Sequence, residues 1–160
     1  IAHSVTPETV AIALQEHPDA KAVLVVSPTY YGTCSDLATI ADLTHAAGIP
    51  LLVDEAHGAH FAFHPALPIS ALEAGADLTI QSTHKTLSAL TQASMLHVKG
   101  DRIECDRLSQ SLQLVQSTSP NYLLLASLDA ACEQMATEGK ALMERTLQLS
   151  EQARSRLQSI

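Results

Sequence analysis

The feature that most constrains the fold is a set of three short apolar runs separated by segments with helical character. The runs are residues 22–26, 49–53 and 76–80. The first two flank a helical pattern over residues 36–47 that Gly48 closes, which is the arrangement of a β-α-β unit. Units of this kind pair their strands in parallel with a right-handed connection. The sequence therefore predicts an α/β fold built on a mostly parallel sheet.

The rest of the chain predicts helices and one further strand. Thr6 followed by Pro7 is typical of a helix N-terminus, and that helix should run to about Glu16. A fourth strand is expected to be antiparallel, since too few residues separate it from the third for a helical crossover. The first strand, apolar throughout, is expected to be covered on both faces. The fourth strand and the remaining helices are expected at residues 93–98, 69–74, 106–114 and beyond 121, the last as one long helix or two.

Composition and charge narrow the class of protein. The 160 residues, 46% of them apolar, suit one compact domain. A net charge of −8 argues against nucleic acid or an anionic membrane surface as the main partner. Cys34, Cys105 and Cys132 show no paired spacing, and no run has the length of a membrane span or the pattern of a signal peptide, so a reducing, cytoplasmic location is expected. Ile1 and Ile160 are unusual ends for a complete chain, which predicts a fragment.

Two charged motifs each follow a predicted strand. One is residues 81–86, which contains Lys85, and the other is residues 54–57, which begins with Asp54. Open α/β sheets bind ligands at the carboxyl ends of their strands, where both motifs should lie. Lysine and arginine are scarce, nine in 160 residues, so a lysine at this place is notable. A Schiff-base lysine and an aspartate that keeps a pyridine nitrogen protonated are what a pyridoxal phosphate enzyme requires.

Two other interpretations of the Asp54 motif have less support. Asp-Glu-Ala-His also forms the acidic box of a helicase-type ATPase, but the sequence has no G-x-x-x-x-G-K-[ST] phosphate loop. His57, His60 and His64 could join Asp54 in a zinc site. However, zincin motifs place their histidines on a helix, whereas Gly58 and the residues after it indicate a loop. We therefore expect no metal.

Four segments resemble the major domain of the Orn/Lys/Arg decarboxylases, which are pyridoxal phosphate enzymes of the aspartate aminotransferase fold type. The segments are residues 27–32, 53–61, 81–92 and 117–122, so the resemblance covers nearly the whole chain. It implies part of a three-layer large domain, with one antiparallel strand in a mostly parallel sheet. It divides the chain into a partial cofactor-binding domain, residues 1–120, and a helical segment, residues 121–160, that leads towards a missing small C-terminal domain. It also implies a homodimer or larger homo-oligomer in the full-length form.

The resemblance implies an activity and a set of site residues. The activity is decarboxylation of arginine, lysine or ornithine to the amine and carbon dioxide, as in amino acid metabolism and polyamine biosynthesis. The implied catalytic residues are Lys85, Asp54 and His57. The implied contacts to pyridoxal 5'-phosphate come from Lys85, Asp54, Ala56, Ser82, His84 and Thr29, with less specific matches at Tyr30, Ser119 and Asn121. Because the family's phosphate loop and ring-stacking residue lie outside this sequence, the chain alone is expected to bind the cofactor weakly or not at all.

Several alternatives stay open at this point. Another enzyme of the same fold type, such as an aminotransferase, a C-acyltransferase or a lyase, would share Asp54 and Lys85. A truncated, non-catalytic domain would only fold or dimerise. His57 could equally be a structural histidine, and only one of Ser82 and His84 could contact the phosphate. These residues do not distinguish arginine, lysine and ornithine as the substrate.

Overall fold

A single mixed sheet organises the computed structural model, which describes residues 4–159. Its strands follow in the order β1-β2-β3-β4. Strands β1 to β3 are parallel, and β4 pairs antiparallel to β3. The predicted α/β fold with one antiparallel strand is confirmed. The strands are β1 (Val23–Val26), β2 (Leu51–Asp54), β3 (Leu78–Gln81) and β4 (Met95–Val98).

Five α-helices and a 3-10 turn at Phe61–Phe63 accompany the sheet in the part of the chain that the structure describes. The predicted start of the first helix is confirmed, since the Thr6 hydroxyl accepts a hydrogen bond from the Thr9 backbone N–H at 3.3 Å. Asp36 caps the second helix by accepting from the Thr39 N–H at 3.2 Å. The helices are α1 (Pro7–Glu16), α2 (Leu37–Ala46), α3 (Thr83–Thr86), α4 (Cys105–Val115) and α5 (Tyr122–Gln158).

The two faces of the sheet differ in burial. One face, here called the covered face, carries Val25, Leu51 and Val53, which form the hydrophobic core with residues of α1 and α2. The other, here called the open face, carries Leu24 and Val26, which are 69% and 48% exposed. The expectation that the first strand is covered on both faces is therefore wrong. Among the described residues, the hydrophobic core cluster lies on the covered face, and Leu78 is buried on the open face.

The short helix predicted at residues 69–74 is a second error, since residues 71–75 form a turn. The Ala74 N–H donates to the Ser70 carbonyl at 2.9 Å, and Gly75 then takes a φ of 107°, which ends the helical course of the backbone. In addition, the Ala71 N–H donates to the side chain of Glu55.

The C-terminal helical pattern is one continuous helix, α5, of 37 residues. Asn121 caps it, because its side-chain oxygen accepts from the backbone N–H groups of Leu123 and Leu124 at 3.0 and 3.3 Å. Gly139 is buried inside the helix and does not interrupt it. None of the helices within residues 4–159 carries an apolar stretch long enough to cross a membrane.

Helix α5 contacts the loops that follow β2 and β3. Near the first loop, a Cβ built on Gly139 would lie only 3.3 Å from the Phe63 ring, and His64 Nε2 lies 2.9 Å from a Glu144 carboxylate oxygen. Near the second loop, the Leu90 N–H donates to the Ser127 hydroxyl at 3.2 Å. The long helix thus supports both loops whose residues the sequence predicts to be functional.

Candidate active site

Asp54 ends β2 and lies on the open face of the sheet. The strand register places it between Val26 of β1 and Ile80 of β3, so apolar side chains flank it on both sides. Its Oδ1 accepts from the Ala56 backbone N–H at 3.0 Å, and Oδ2 has no hydrogen-bond partner among residues 4–159. Because the carboxylate is half-buried beside apolar neighbours, a cationic partner would stabilise its charged form.

Lys85 lies in α3, a single helical turn that begins two residues after the end of β3. Ser82 is the residue before the turn, and its carbonyl accepts from the Lys85 N–H at 3.0 Å. The Lys85 side chain is exposed and forms no ion pair with any residue that the structure describes. Its amine is therefore free, at the same carboxyl edge of the sheet as Asp54.

Ser82 and His84 differ in how readily they can donate to a phosphate. His84 Nδ1 lies 2.8 Å from the Ala93 carbonyl oxygen, which can only accept, so Nδ1 carries the proton. The Nε2 atom of the neutral ring is then an acceptor and becomes a donor only when the imidazole is protonated. The Ser82 hydroxyl makes no capping bond and is free to donate. Of the two predicted phosphate contacts, Ser82 is available in either protonation state of His84.

His57 and Thr29 lie in the two loops beside Asp54. The His57 and Tyr30 rings meet edge to face with their centroids 5.6 Å apart, which joins the loop after β2 to the loop after β1. The Thr29 hydroxyl accepts from the Thr33 N–H at 3.2 Å, so it stabilises its own turn. Tyr30 is 80% exposed and forms the outer side of this contact. Their roles towards a cofactor stay predictions.

Glu55 points the opposite way from Asp54 and is fully buried, with 0% of its surface exposed. Its Oε1 accepts from the Ala71 N–H at 2.8 Å, and its Oε2 accepts from Gln81 Nε2 at 2.7 Å. The side-chain oxygen of Gln81, Oε1, lies 3.2 Å from His97 Nε2. No role was predicted for Glu55, although the alternation of side chains along a strand places it on the face opposite to Asp54.

Burial raises the pKa of the Glu55 carboxyl above its ordinary value, while the hydrogen bonds from Gln81 and Ala71 act in the opposite direction. Two other titratable groups are nearby. Burial and the charge of Glu55 raise the pKa of the Cys34 thiol. Burial lowers the pKa of His97, which bonds to Gln81.

The raised pKa of Glu55 predicts how stability depends on pH. Between the ordinary and the raised value the folded chain binds more protons than the unfolded chain. The contribution of Glu55 to folding stability is thus fully present below its ordinary pKa and is lost as the pH rises through its raised pKa. Glu55→Gln cannot ionise, so the free energy of unfolding of the native chain relative to this variant should fall as the pH rises through that window.

Denaturant unfolding at a series of pH values measures this difference. The exposed Glu73 in the neighbouring turn provides the matched control, Glu73→Gln. Carrying Cys34→Ser in every protein removes the thiol as a second titrating group. If the unfolding free energy of the native chain minus that of Glu55→Gln stays constant over pH, or rises with it, the raised pKa assigned to Glu55 is contradicted.

Gly58 has no room for a side chain. A Cβ there would lie 2.6 Å from the Glu55 Cγ and 3.0 Å from the Phe61 ring. Because Glu55 is held by two hydrogen bonds, it cannot move aside freely. Gly58→Ala should lower the free energy of unfolding by about 1–3 kcal/mol, as measured by denaturant unfolding.

Gly139→Ala is the comparison for this prediction. Its nearest atom would be the flexible methyl end of Met135, at 3.1 Å. Alanine also has the higher helix propensity, by about 1 kcal/mol. Gly139→Ala should therefore be the less damaging change, and an equal or larger loss than that of Gly58→Ala would show that the contact with Glu55 is not rigid.

The histidines of the loop after β2 have separate partners. His57 meets Tyr30 as described above, His60 packs on Phe61 with ring centroids 4.8 Å apart, and His64 bonds to Glu144. Within residues 4–159, no three His, Cys, Asp or Glu side chains come close enough together to hold a metal ion. This geometry gives the zinc-site interpretation no support.

The chemical character of the carboxyl edge fits pyridoxal phosphate. It offers a free amine on Lys85, a carboxylate on Asp54 with one oxygen available, and a free hydroxyl on Ser82. Val26 and Ile80 provide an apolar surface on either side of the carboxylate. An amine can hold the cofactor's aldehyde, a carboxylate can pair with its pyridine nitrogen, and a hydroxyl can donate to its phosphate.

Comparison with known proteins identifies the family to which the chain belongs. All of residues 1–160 match the family model described as Orn/Lys/Arg decarboxylase, major domain. An arginine decarboxylase of Bacillus subtilis is 49% identical over 160 residues, which are 100% of this chain and 33% of the relative. A lysine decarboxylase of Pseudomonas aeruginosa is 32% identical over 146 residues, covering 84% of this chain and 19% of the relative. The chain thus spans about a third of the length of the arginine decarboxylase that it matches.

Solved structures support the fold. The constitutive lysine decarboxylase of Escherichia coli superposes with a TM-score of 0.75, covering 96% of this chain and 23% of that chain. At 24% sequence identity, this likeness is evidence for the architecture of the domain and for nothing finer.

Proposed function

Since this chain belongs to the Orn/Lys/Arg decarboxylase family, we propose that it carries the cofactor centre of a pyridoxal phosphate-dependent decarboxylase of basic amino acids. One observation carries the proposal. A free lysine amine and an aspartate with an available oxygen follow two adjacent parallel strands, at the edge where such sheets bind ligands. In the proposal, residues 1–120 hold the cofactor and residues 121–160 connect this domain to the rest of the protein.

Each residue has a defined task in the proposed centre. Pyridoxal phosphate, when bound, accepts the electron pair that remains when the bond between Cα and the carboxylate breaks. Lys85 supplies the amine that holds the cofactor aldehyde. Asp54 would place a negative charge beside the ring nitrogen, which keeps this nitrogen protonated. Ser82 donates to the phosphate, and protonated His84 adds a second donor.

Arginine is the substrate that the comparisons favour. The identity to the Bacillus subtilis arginine decarboxylase is 49%, against 32% for the Pseudomonas aeruginosa lysine decarboxylase. The test supplies the full-length protein with arginine, lysine or ornithine and pyridoxal phosphate, without a keto acid, and measures carbon dioxide and amine. We expect equal amounts of carbon dioxide and agmatine from arginine. Amine transfer that depends on an added keto acid, with no carbon dioxide, would instead indicate an aminotransferase.

The proposal extends to assembly and to the use of the product. Family membership supports a homodimer or larger homo-oligomer, and an amine product that feeds polyamine biosynthesis. Sedimentation of the full-length protein tests the first point. A monomer that retains full activity would remove oligomerisation from the proposal and leave the chemistry unchanged.

A further inference from the structure

We propose that Glu55 is a positioning residue, which fixes the end of β2 to the end of β3 from the covered face and so holds Asp54 and Lys85 in a constant relation. The effect that this proposal predicts on catalysis rests on the proposed function. The connection between the two segments is a structural claim and does not depend on that function. Glu55 would not contact the cofactor in this role, since it lies on the opposite side of the sheet from Asp54.

Backbone and side chain of Glu55 both connect the two strands. Its N–H donates to the Ile80 carbonyl at 2.9 Å, which extends the β2–β3 pairing by one residue. Its carboxylate accepts from Gln81 Nε2 at 2.7 Å. Glu55 is the residue next to Asp54, and Gln81 is the residue next to Ser82, where the lysine turn begins. The connection is therefore made at the two positions where a displacement would move the proposed catalytic groups.

The same carboxylate extends the connection to other parts of the domain. Its second oxygen binds the Ala71 N–H at 2.8 Å, in the turn that precedes β3. Gln81 carries the network to His97 of β4. One buried group thus connects the end of β2 to β3 and to the turn before β3, and reaches β4 through Gln81.

Stability alone does not account for an acid at this position. Burying a carboxylate costs free energy that hydrogen bonds only partly recover, and apolar residues of similar volume are often as stable or more stable. A directional group does what an apolar one cannot, because its two oxygens fix the orientation of two separate donors. The lysine turn needs such support, since α3 has only four residues.

The test compares variants that remove the connection with one that retains it. Glu55→Leu removes both side-chain bonds of Glu55. Gln81→Leu removes the Glu55–Gln81 bond and the Gln81–His97 bond but keeps the bond from Ala71 to Glu55, and it serves if the first variant does not fold. Glu55→Gln retains the connection, since the Gln81 amide can rotate to accept from the new amide and to donate to Nε2 of the neutral His97 ring. The control is Ile40→Val, which perturbs the fully buried core of α2 away from the site.

The first readout is amide hydrogen exchange on peptides covering residues 54–58 and 82–87, which needs no cofactor. In Glu55→Leu or Gln81→Leu both peptides should lose protection together, whereas Glu55→Gln and Ile40→Val should stay close to the native protein. Native-like protection of both peptides in the two leucine variants would overturn the proposal. So would an equal loss of protection in Ile40→Val, since the effect would then be general destabilisation.

The second readout is catalysis by the full-length protein, with the share of borohydride-trapped cofactor on Lys85. The leucine variants should lose kcat/KM by roughly ten- to hundredfold, with the label less selective for Lys85, and Glu55→Gln should recover both. Native-like kcat/KM and labelling in variants that have lost protection would overturn the catalytic part. If the native protein shows no label on Lys85, the proposed function fails, and the exchange result still decides whether Glu55 connects the two segments.

Discussion

Replacing Lys85 with alanine should abolish decarboxylation by the full-length protein, with kcat lower by at least about 10³-fold. The reason is that no other described lysine lies just past a strand at the edge of the sheet where Asp54 lies, since Lys99 follows the antiparallel β4 at the opposite edge. The side chain is exposed and unpaired among the described residues, so its loss should leave the fold intact. The measurement is carbon dioxide release at saturating arginine, together with the thermal unfolding midpoint.

Lys21→Ala is the matched control for this change. Lys21 is also exposed, but it lies just before β1, at the opposite edge of the sheet from Asp54. It should retain native activity. A folded Lys85→Ala protein that keeps more than a small fraction of the native rate would contradict the assignment of Lys85 as the catalytic lysine.

Asp54→Asn should lower kcat by about 10²-fold or more while leaving the fold unchanged. Asparagine has the same shape, and its side-chain oxygen can still accept from the Ala56 N–H, as Asp54 Oδ1 does at 3.0 Å. Only the negative charge is lost, so a ring nitrogen at this place would no longer be kept protonated. Steady-state kinetics and unfolding of the same preparation measure the two effects separately.

Asp42→Asn controls for the general effect of removing a carboxylate, because Asp42 is exposed on α2. It should have native kinetics. If Asp54→Asn also kept its native kcat, the aspartate would not act on the ring. If its loss of activity followed a loss of folded protein, the residue would be structural.

Local signals in the sequence were sufficient for much of the fold. The cap at Thr6 and the start of α2 after Asp36 depend on side chains within three residues of the helix. The antiparallel direction of β4 followed from the length of its connection to β3, which leaves no room for a crossover. The motif around Lys85 was correctly placed beyond a strand, although its single helical turn was not predicted.

Features that depend on distant contacts could not be predicted in the same way. Leu24 and Val26 are as apolar as Val25, yet only Val25 is buried, because burial depends on which helices pack against each face. Residues 69–74 have helix-forming composition, but the Ala71 N–H bonds to a side chain 16 residues away. Glu55 reaches partners 16 and 26 residues along the chain. Only its place one residue beyond Asp54, on the opposite face, was readable from the sequence.

The measurement that tests the central claim most directly is to mix the full-length protein with pyridoxal phosphate, reduce it with borohydride, and locate the modified lysine by peptide mass. Reduction fixes the cofactor to whichever amine holds it. We predict one label per chain on Lys85, absent from Lys85→Ala and unchanged in Lys21→Ala. Label spread over Lys21, Lys99 and Lys140, with no more on Lys85 than on these, would contradict the account, because the amine beside Asp54 would then not be the one that holds the cofactor.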